Sequence, residues 1–247
     1  MFGHQIDRHL VSVTDPTSME AEQYQTLRLK IERFQRERDL RVVAITSPGA
    51  RDGKSVTAIN LAASLARGSN ARVLLIEADI RRPAMSRYLG LNGAAAEKSL
   101  SKVLSSEGGT LQDGVQRFDS LRFDMMLAGT PDVPVTELLR SPRVASLLNE
   151  AREQYDYVLI DTPPLGPVSD CALLARWVDG LILVVAAHKT PRKMLESSLN
   201  QLDSASVLGI VFNGDDRPFL KYRRHSYRGY FSQAKPHQSD RVTNVGL

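Results

Sequence analysis

The feature that most constrains the fold is a short glycine-containing loop set between an apolar run and a helical stretch. The apolar run is Val42–Thr46, the loop follows it, and residues 54–67 then have the length and composition of a helix that stops before Gly68. An apolar strand that leads through such a loop into a helix is the first half of a β-α-β unit. The chain is therefore expected to build a parallel sheet around this segment.

The same alternation of apolar runs and helical stretches continues along the chain. Further strands are predicted at Val73–Ile76, Leu121–Leu127, Val158–Ile160, Leu181–Ala186 and Val207–Phe212, and further helices at 98–105, 135–153, 168–176 and 190–203. Several of the runs are apolar at successive positions, which is typical of strands that helices cover on both faces. The predicted fold class is α/β, with a mainly parallel, doubly wound sheet flanked by helices.

The two ends of the chain differ from this alternating region. Residues 1–16 are polar and are expected to be irregular, and Thr17 with Glu20 has the pattern of a capping box, with Thr17 as the N-cap. The helix that follows carries apolar residues at helical spacing and is expected to end near Asp39. We predict three parts, namely an N-terminal segment and helix of residues 1–39, a domain of residues 40–213 and a flexible tail of residues 214–247.

Charge, cysteine content and the length of apolar runs indicate where in the cell the protein is expected. The net charge is +4, and residues 214–247 alone hold seven Lys/Arg and three Asp, so the basic excess lies in the tail. Such a tail is either a solvated terminus or a segment that attracts anionic lipid or an acidic partner; the sequence shows no nucleic-acid reader motif. The single cysteine, Cys171, excludes an internal disulfide and fits a cytoplasmic protein. No run reaches the roughly 18 apolar residues that a membrane-spanning helix needs.

The loop after the first strand has the pattern of a phosphate-binding loop. It reads Ser-Pro-Gly-Ala-Arg-Asp-Gly-Lys-Ser over Ser47–Ser55. Gly53 lets the backbone approach the ligand, Lys54 places a charge on the β- and γ-phosphates, and the Ser55 hydroxyl is a ligand for Mg²⁺. Pro48 stands where the common form has its first glycine, so a glycine-rich turn without a ligand is the alternative. The predicted nucleotide-binding residues are Gly49, Ala50, Arg51, Asp52, Gly53, Lys54, Ser55 and Val56.

Carboxylates follow two of the predicted strands. Glu77 and Asp79 come after the second strand, and Asp161 comes after the run Val158–Ile160. Ligands of open parallel sheets bind at the carboxyl ends of the strands, so these acids are expected beside the phosphate loop. A single acid at a strand end is often only a cap, but three acids together with this loop favour a catalytic site. We expect Asp79 and Asp161 to hold Mg²⁺ with Ser55, and one carboxylate to accept a proton from an attacking hydroxyl or water.

Together these motifs resemble the bacterial tyrosine kinases of capsule and exopolysaccharide synthesis, the CpsD, CapB and Wzc type. That family consists of P-loop proteins related to the MinD and ParA ATPases. The segment that ends in Gly53-Lys54-Ser55 resembles its Walker A motif, 77–83 its Walker A′ motif, and 161–164 its Walker B motif. The stretches 127–129, 137–139 and 211–213 are also similar to family segments. Gly49 occupies the position of the signature lysine of MinD and ParA, which favours the kinase branch.

The resemblance implies roles for individual residues. Lys54, Glu77, Asp79 and Asp161 are implied to be catalytic, and Asn213 to face the adenine of ATP. The family has aspartate at position 77 and takes it as the base that activates the tyrosine hydroxyl. Glutamate keeps the carboxylate and adds one methylene, so the resemblance implies kinase activity with Glu77 in this role.

The resemblance also implies an assembly and a substrate. In the family, a Glu-x-x-Arg-x-x-Arg run on the N-terminal helix joins subunits into a ring; here the run is Glu22, Gln25 and Arg28. Tail tyrosines of one subunit are phosphorylated in trans by a neighbour, which here implicates Tyr222, Tyr227 and Tyr230. A chain-length-determinant membrane adaptor and a cognate tyrosine phosphatase are the implied partners. No nucleic-acid partner is expected.

The function predicted from the sequence is an ATP- and Mg²⁺-dependent protein-tyrosine autokinase that regulates exopolysaccharide export. The protein is expected in the cytoplasm, held at the inner face of the membrane by its partner. Two alternatives stay open at this point. One is a MinD/ParA-like switch ATPase that does not phosphorylate tyrosine, and the other is a pseudokinase that binds ATP only to organise a membrane complex.

Overall fold

A computed structural model describes residues 6–68, 70–91, 98–118, 121–166, 170–202 and 207–215. The helices within these ranges are α1 (Val11–Thr14), α2 (Met19–Arg38), α3 (Lys54–Gly68), α4 (Met85–Tyr88), α5 (Leu100–Ser105), α6 (Leu111–Gly114), α7 (Val135–Arg140), α8 (Arg143–Gln154), α9 (Asp170–Ala175) and α10 (Arg192–Asn200). The strands are β1 (Val42–Thr46), β2 (Val73–Glu77), β3 (Gln116–Arg117), β4 (Asp124–Met126), β5 (Tyr157–Asp161), β6 (Gly180–Ala186) and β7 (Val207–Asn213).

The strands form one sheet in the order β3-β4-β2-β5-β1-β6-β7. All neighbouring pairs are parallel except β3 and β4, which are antiparallel. The strand order reverses direction around β1, so helices must cross on both faces of the sheet. The predicted fold class, a mainly parallel and doubly wound α/β sheet, is confirmed.

Alternating residues of β1 show how the two faces are covered. Val43 and Ile45 pack in one cluster with residues of α2 and α3, such as Ile31 and Leu65. Val42 points to the opposite face and packs in the cluster that contains residues of α5, α7 and α8. Every residue of β1 is buried, because both faces of a central strand lie under helices. The successive apolar positions seen in the sequence have this cause.

The register brings acidic strand ends together. Glu77 at the end of β2 pairs with Asp161 at the end of β5, and Asp161 in turn lies opposite Ile45 of β1. The phosphate loop leaves β1 one residue later. The carboxyl ends of three adjacent strands therefore meet beside this loop, as expected for a doubly wound sheet.

Two expectations for the N-terminal region are wrong. Residues 11–14 form the short helix α1, and Leu10 and Ser12 are buried, so the first sixteen residues are not simply irregular. The N-cap of α2 is Ser18, whose hydroxyl accepts a hydrogen bond from the N–H of Ala21 at 3.2 Å. Thr17 and Ser18 both carry capping hydroxyls, and the backbone geometry at Ser18 decides between them. The predicted end of α2 is confirmed, with Asp39 as its C-cap.

Several predicted bounds between residues 98 and 203 are also wrong. The run Leu121–Leu127 is a strand only over Asp124–Met126, and the two-residue strand β3 escaped prediction. The predicted helix 135–153 is divided into α7 and α8 at Ser141 and Pro142, because a residue before proline disfavours the helical conformation. Over the described residues, the predicted helices 98–105 and 190–203 are shorter than expected, as α5 and α10. The predicted helix 168–176 ends at Ala175, as α9, and its predicted start lies outside the described residues.

The chain divides into two units with the boundary between Asn213 and Gly214, and all of these elements belong to the first unit. The predicted tail phosphorylation sites Tyr222, Tyr227 and Tyr230 lie outside the described residues. Within the described ranges, no helix combines the length and the apolar character needed to cross a lipid bilayer.

Candidate functional site

The loop between β1 and α3 is shaped by side-chain hydrogen bonds. Gly53 has φ of 98°, and a Cβ on it would lie 1.9 Å from Nδ2 of Asn213, so only glycine fits. Asp52, which is buried, accepts hydrogen bonds from the N–H of Gly49 at 2.9 Å and from the Thr190 hydroxyl at 3.0 Å. Asn213 Nδ2 donates to the carbonyl of Asp52 at 3.0 Å. The loop is thus held at the ends of β6 and β7 as well as by β1.

The first residue of α3, Lys54, lies among the acidic strand ends. Its ammonium Nζ is 2.8 Å from Oδ2 of Asp79 and 3.4 Å from Oδ1 of Asp161. The same atom lies 3.4 Å from the Ser55 hydroxyl oxygen. All four of these residues are buried. The structure therefore brings together the lysine, the serine and the two aspartates that the sequence analysis assigned to phosphate and metal.

Burial and charge oppose each other in this cluster. Loss of hydration raises the pKa of Asp161 to about 6, although the Lys54 ammonium acts in the other direction. Burial by itself would lower the pKa of Lys54, but the charges of Asp161 and Asp79 outweigh it and the net pKa is raised. The pairing therefore stabilises the charged form of Lys54. It stabilises the charged form of Asp161 too weakly to offset the loss of hydration. The difference arises because Asp161 is wholly buried and also faces the charges of Glu77 and Asp79.

The geometry fits a magnesium nucleotide. Asp161 Oδ2 is buried and has no hydrogen-bond partner, which is costly unless a ligand or water meets it. Among the described residues, no group of three or more His, Cys, Asp or Glu side chains could hold a metal by itself. A site made of two aspartates and a serine suits Mg²⁺, which is commonly bound by one or two carboxylates together with water and substrate phosphate.

The third predicted acid, Glu77, is placed differently. Its carboxylate oxygens accept hydrogen bonds from the backbone N–H groups of Ala84, Met85 and Ala128. It is also buried, yet no ion pair with Lys54 is present. The structure thus puts Glu77 beside the site but directs its carboxylate towards the backbone of neighbouring segments.

An ion pair that sequence reasoning did not single out borders the site. Arg81 donates to both carboxylate oxygens of Asp170, at 2.6 and 3.2 Å, and to the Thr136 hydroxyl at 2.9 Å. The Asp170 side chain is only 1% exposed, whereas the Arg81 side chain is 40% exposed. The pair joins the segment after β2 to α9 and α7. No local signal reveals it, because 89 residues separate Arg81 from Asp170.

Removal of one partner from this pair is expected to lower stability. Arg81→Met leaves the buried Asp170 carboxylate unpaired, so we expect the free energy of unfolding to fall by about 1–3 kcal/mol, measured by urea denaturation. Arg72→Met is the control, because Arg72 and Asp156 form an exposed pair whose loss should cost below about 1 kcal/mol. Equal losses in the two variants would contradict a structural role for the Arg81–Asp170 pair.

The predicted assembly residues lie on α2. Arg28 forms an ion pair with Glu32 at 3.2 Å, and its guanidinium lies against Gly68 at the end of α3. Its side chain is only 15% exposed. Glu22 is half-buried. A role for Glu22 and Arg28 in ring formation stays a prediction.

Comparison with known proteins identifies the family of the chain. A family model described as an AAA domain matches residues 40–204. The chain is 32% identical over 231 residues to the tyrosine-protein kinase YwqD of Bacillus subtilis (strain 168), and the match covers 93% of both proteins. The chain belongs to the bacterial tyrosine kinase family.

Two further comparisons place this kinase chain among solved and longer relatives. The kinase domain of the Escherichia coli tyrosine kinase ETK superposes with a TM-score of 0.77 at 29% identity, over 85% of this chain and 82% of that one. The succinoglycan biosynthesis transport protein ExoP of Rhizobium meliloti (strain 1021) is 32% identical over 235 residues. That match covers 90% of this chain and 29% of ExoP, so the tyrosine kinase chain spans about a third of this longer relative.

Proposed function

We propose that the protein is an ATP-dependent protein-tyrosine autokinase that regulates exopolysaccharide or capsule biosynthesis and export. The observation that carries this proposal is the buried cluster in which Lys54, at the start of α3, faces Asp79 and Asp161 at the strand ends. Support comes from relatives named tyrosine-protein kinases and from ExoP, whose name refers to succinoglycan transport.

Each part of the site has a role in this proposal. The N–H groups of the loop from Gly49 to Val56 bind the phosphates, and Lys54 neutralises charge on the β- and γ-oxygens. Ser55, Asp79 and Asp161 are the residues that would hold Mg²⁺, which when bound supplies positive charge for the transferred phosphoryl group. Asn213 lies against Gly53, which is consistent with a place beside the nucleotide.

The reaction moves one phosphoryl group. The tyrosine oxygen forms a bond to the γ-phosphorus, and the bond from that phosphorus to the bridging oxygen of ADP breaks. The phenol proton passes to one of the carboxylates at the strand ends. Phosphotyrosine and ADP are the products.

The acceptors proposed are Tyr222, Tyr227 and Tyr230 in the tail of a neighbouring subunit. Each phosphate adds about −1.5 to −2 charges at pH 7, so two would cancel most of the positive charge of the tail. Replacement of all three tyrosines by phenylalanine should remove most of the phosphotyrosine signal in an autophosphorylation assay. Phe replacement of Tyr88, Tyr155 and Tyr157 in the folded region is the control. An undiminished signal in the tail variant would rule out these acceptors.

One experiment separates the kinase from the competing ATPase and scaffold functions. The purified protein is incubated with ATP and Mg²⁺, and both phosphotyrosine and free phosphate are measured. Phosphotyrosine that disappears with Lys54→Met supports the kinase. Free phosphate without phosphotyrosine supports a MinD/ParA-like switch ATPase, since proteins of that type share this fold. Bound ATP with neither product supports a pseudokinase scaffold.

The proposed partners follow from the same function. We infer a membrane adaptor of the chain-length-determinant type, a homo-oligomeric ring and a cognate tyrosine phosphatase, with no nucleic-acid partner. The protein would then act on the cytoplasmic side of the membrane, held there by the adaptor. Addition of the adaptor's cytoplasmic segment to the phosphotyrosine assay tests this, since activation is expected.

A further inference from the structure

The carboxylate of Glu77 is engaged by backbone groups from two segments. Oε1 accepts hydrogen bonds from the N–H of Ala84 at 2.6 Å and of Met85 at 2.8 Å. Oε2 accepts one from the N–H of Ala128 at 3.2 Å. A carboxylate offers about four acceptor directions, so three of them are taken up by the protein itself. Glu77 therefore lies at the site, but its carboxylate is used in hydrogen bonds to the backbone.

We propose that Glu77 is a positioning residue, which holds Asp79 in place by fixing the segments at Ala84–Met85 and at Ala128. The carboxylate chemistry at Lys54 then falls to Asp79 and Asp161. This inference rests on the proposed kinase function, and it differs from the role that the family resemblance implies for position 77.

The hydrogen bonds around Asp79 show how the positioning works. The segment 78–84 is tied to the sheet at its start, where the N–H of Ala78 donates to the carbonyl of Asp161 at 2.8 Å. At its other end, the N–H of Ala84 is tied to Glu77. Asp79 lies between these two anchors, and its own carbonyl accepts from the N–H of Arg82 at 3.1 Å. With both ends of the segment fixed, the Asp79 carboxylate is held within 2.8 Å of Lys54.

The extra methylene of glutamate matters for this role. An aspartate at position 77 would end about 1.5 Å closer to the backbone of β2, one carbon–carbon bond shorter. Its oxygens would then lie beyond hydrogen-bond distance of Ala84 and Met85 unless that segment moved. The residue type that the family has here is thus expected to be the poorer fit in this chain.

Two substitutions at position 77 separate positioning from proton acceptance. Glu77→Gln keeps an oxygen for the N–H groups of Ala84 and Met85 but turns an amide NH₂ towards Ala128. Glu77→Asp keeps the charge and withdraws it from Ala84 and Met85. If Glu77 is a positioning residue, Glu77→Gln should be more active than Glu77→Asp. A residue that accepts the proton predicts the reverse, because removal of a general base costs about 10²–10⁴ in rate.

Hydrogen–deuterium exchange of the nucleotide-free protein is the first measurement. Glu77→Asp is expected to speed exchange by about tenfold or more at Ala84, Met85 and Ala128, and Glu77→Gln only at Ala128. Unchanged exchange at all three amides in Glu77→Asp would overturn the positioning role. This measurement needs no activity, so it decides the positioning even if the protein forms no phosphotyrosine, a result that would instead defeat the proposed function.

Steady-state phosphotyrosine formation is the second measurement. We expect the kcat of Glu77→Gln to stay within about tenfold of the unmodified protein, whereas Asp79→Asn loses about 100-fold or more. Glu150→Gln is the matched control, since Glu150 accepts from the N–H of Leu111 at 2.9 Å away from the site and its loss should leave kcat unchanged. A loss of about 100-fold or more in Glu77→Gln, with activity kept in Glu77→Asp, would assign the proton to Glu77.

Discussion

Lys54→Met is expected to remove phosphotyrosine formation and to destabilise the nucleotide-free protein by about 3–5 kcal/mol at pH 8. The reason is the surroundings of the ammonium, which is the cation paired with Asp79 and Asp161. Methionine fills a similar volume without charge, so the carboxylates stay buried with no compensating cation. The free energy of unfolding, measured by urea denaturation in the presence of EDTA, checks this expectation.

Magnesium sharpens the test of Lys54. If the ammonium stands in for positive charge that Mg²⁺ also supplies, added Mg²⁺ should restore more stability to Lys54→Met than to the unmodified protein. Lys102→Met serves as the control, because Lys102 is exposed on α5 and its replacement should change stability by about 0.5 kcal/mol or less. A Lys54→Met protein that is as stable as the unmodified one in EDTA would show that the lysine does not compensate the buried acids.

Sequence reasoning succeeded where one physical rule links distant segments. Parallel strands end at the same edge of a sheet, and this rule was enough to place Asp79 and Asp161 beside the loop that ends in Lys54 and Ser55. The periodicity of apolar residues likewise gave the fold class. Both inferences depend on backbone direction and burial, which the order of apolar and polar residues along the chain determines.

It failed where the outcome depends on side-chain direction or on partners far along the chain. The contacts of Glu77 could not be read from its sequence neighbourhood, because one of its partners, Ala128, lies 51 residues away. Asp170 and Thr190 were missed for the same reason, since they meet Arg81 and Asp52 only in the folded chain. The division between α7 and α8 was different, because Pro142 marks it in the sequence.

Asp161→Asn is expected to lower kcat by about 100-fold or more while making the nucleotide-free protein more stable. The pKa of Asp161 is raised from 3.8 to about 6. Each pKa unit corresponds to about 1.4 kcal/mol, so the ionised form costs the folded state about 1–3 kcal/mol at neutral pH. Asparagine keeps the shape and removes this cost, but it also removes a carboxylate proposed to hold Mg²⁺. A gain in stability with a loss of about 100-fold or more in kcat is the expected pair of results.

The stability effect of Asp161→Asn is expected to depend on pH. Because the folded pKa of Asp161 lies above the unfolded value, the folded state binds the proton more tightly, and this group lowers stability as pH rises from about 4 to about 6. The stability advantage of Asp161→Asn should therefore grow from about pH 4 to about pH 6 and stay constant above about pH 7. Asp170→Asn is the matched control, since Asp170 is equally buried but paired with Arg81, and its replacement should destabilise the protein. A destabilising effect of Asp161→Asn across this pH range would contradict the prediction. It would show that the buried Asp161 carboxylate does not cost the nucleotide-free protein stability.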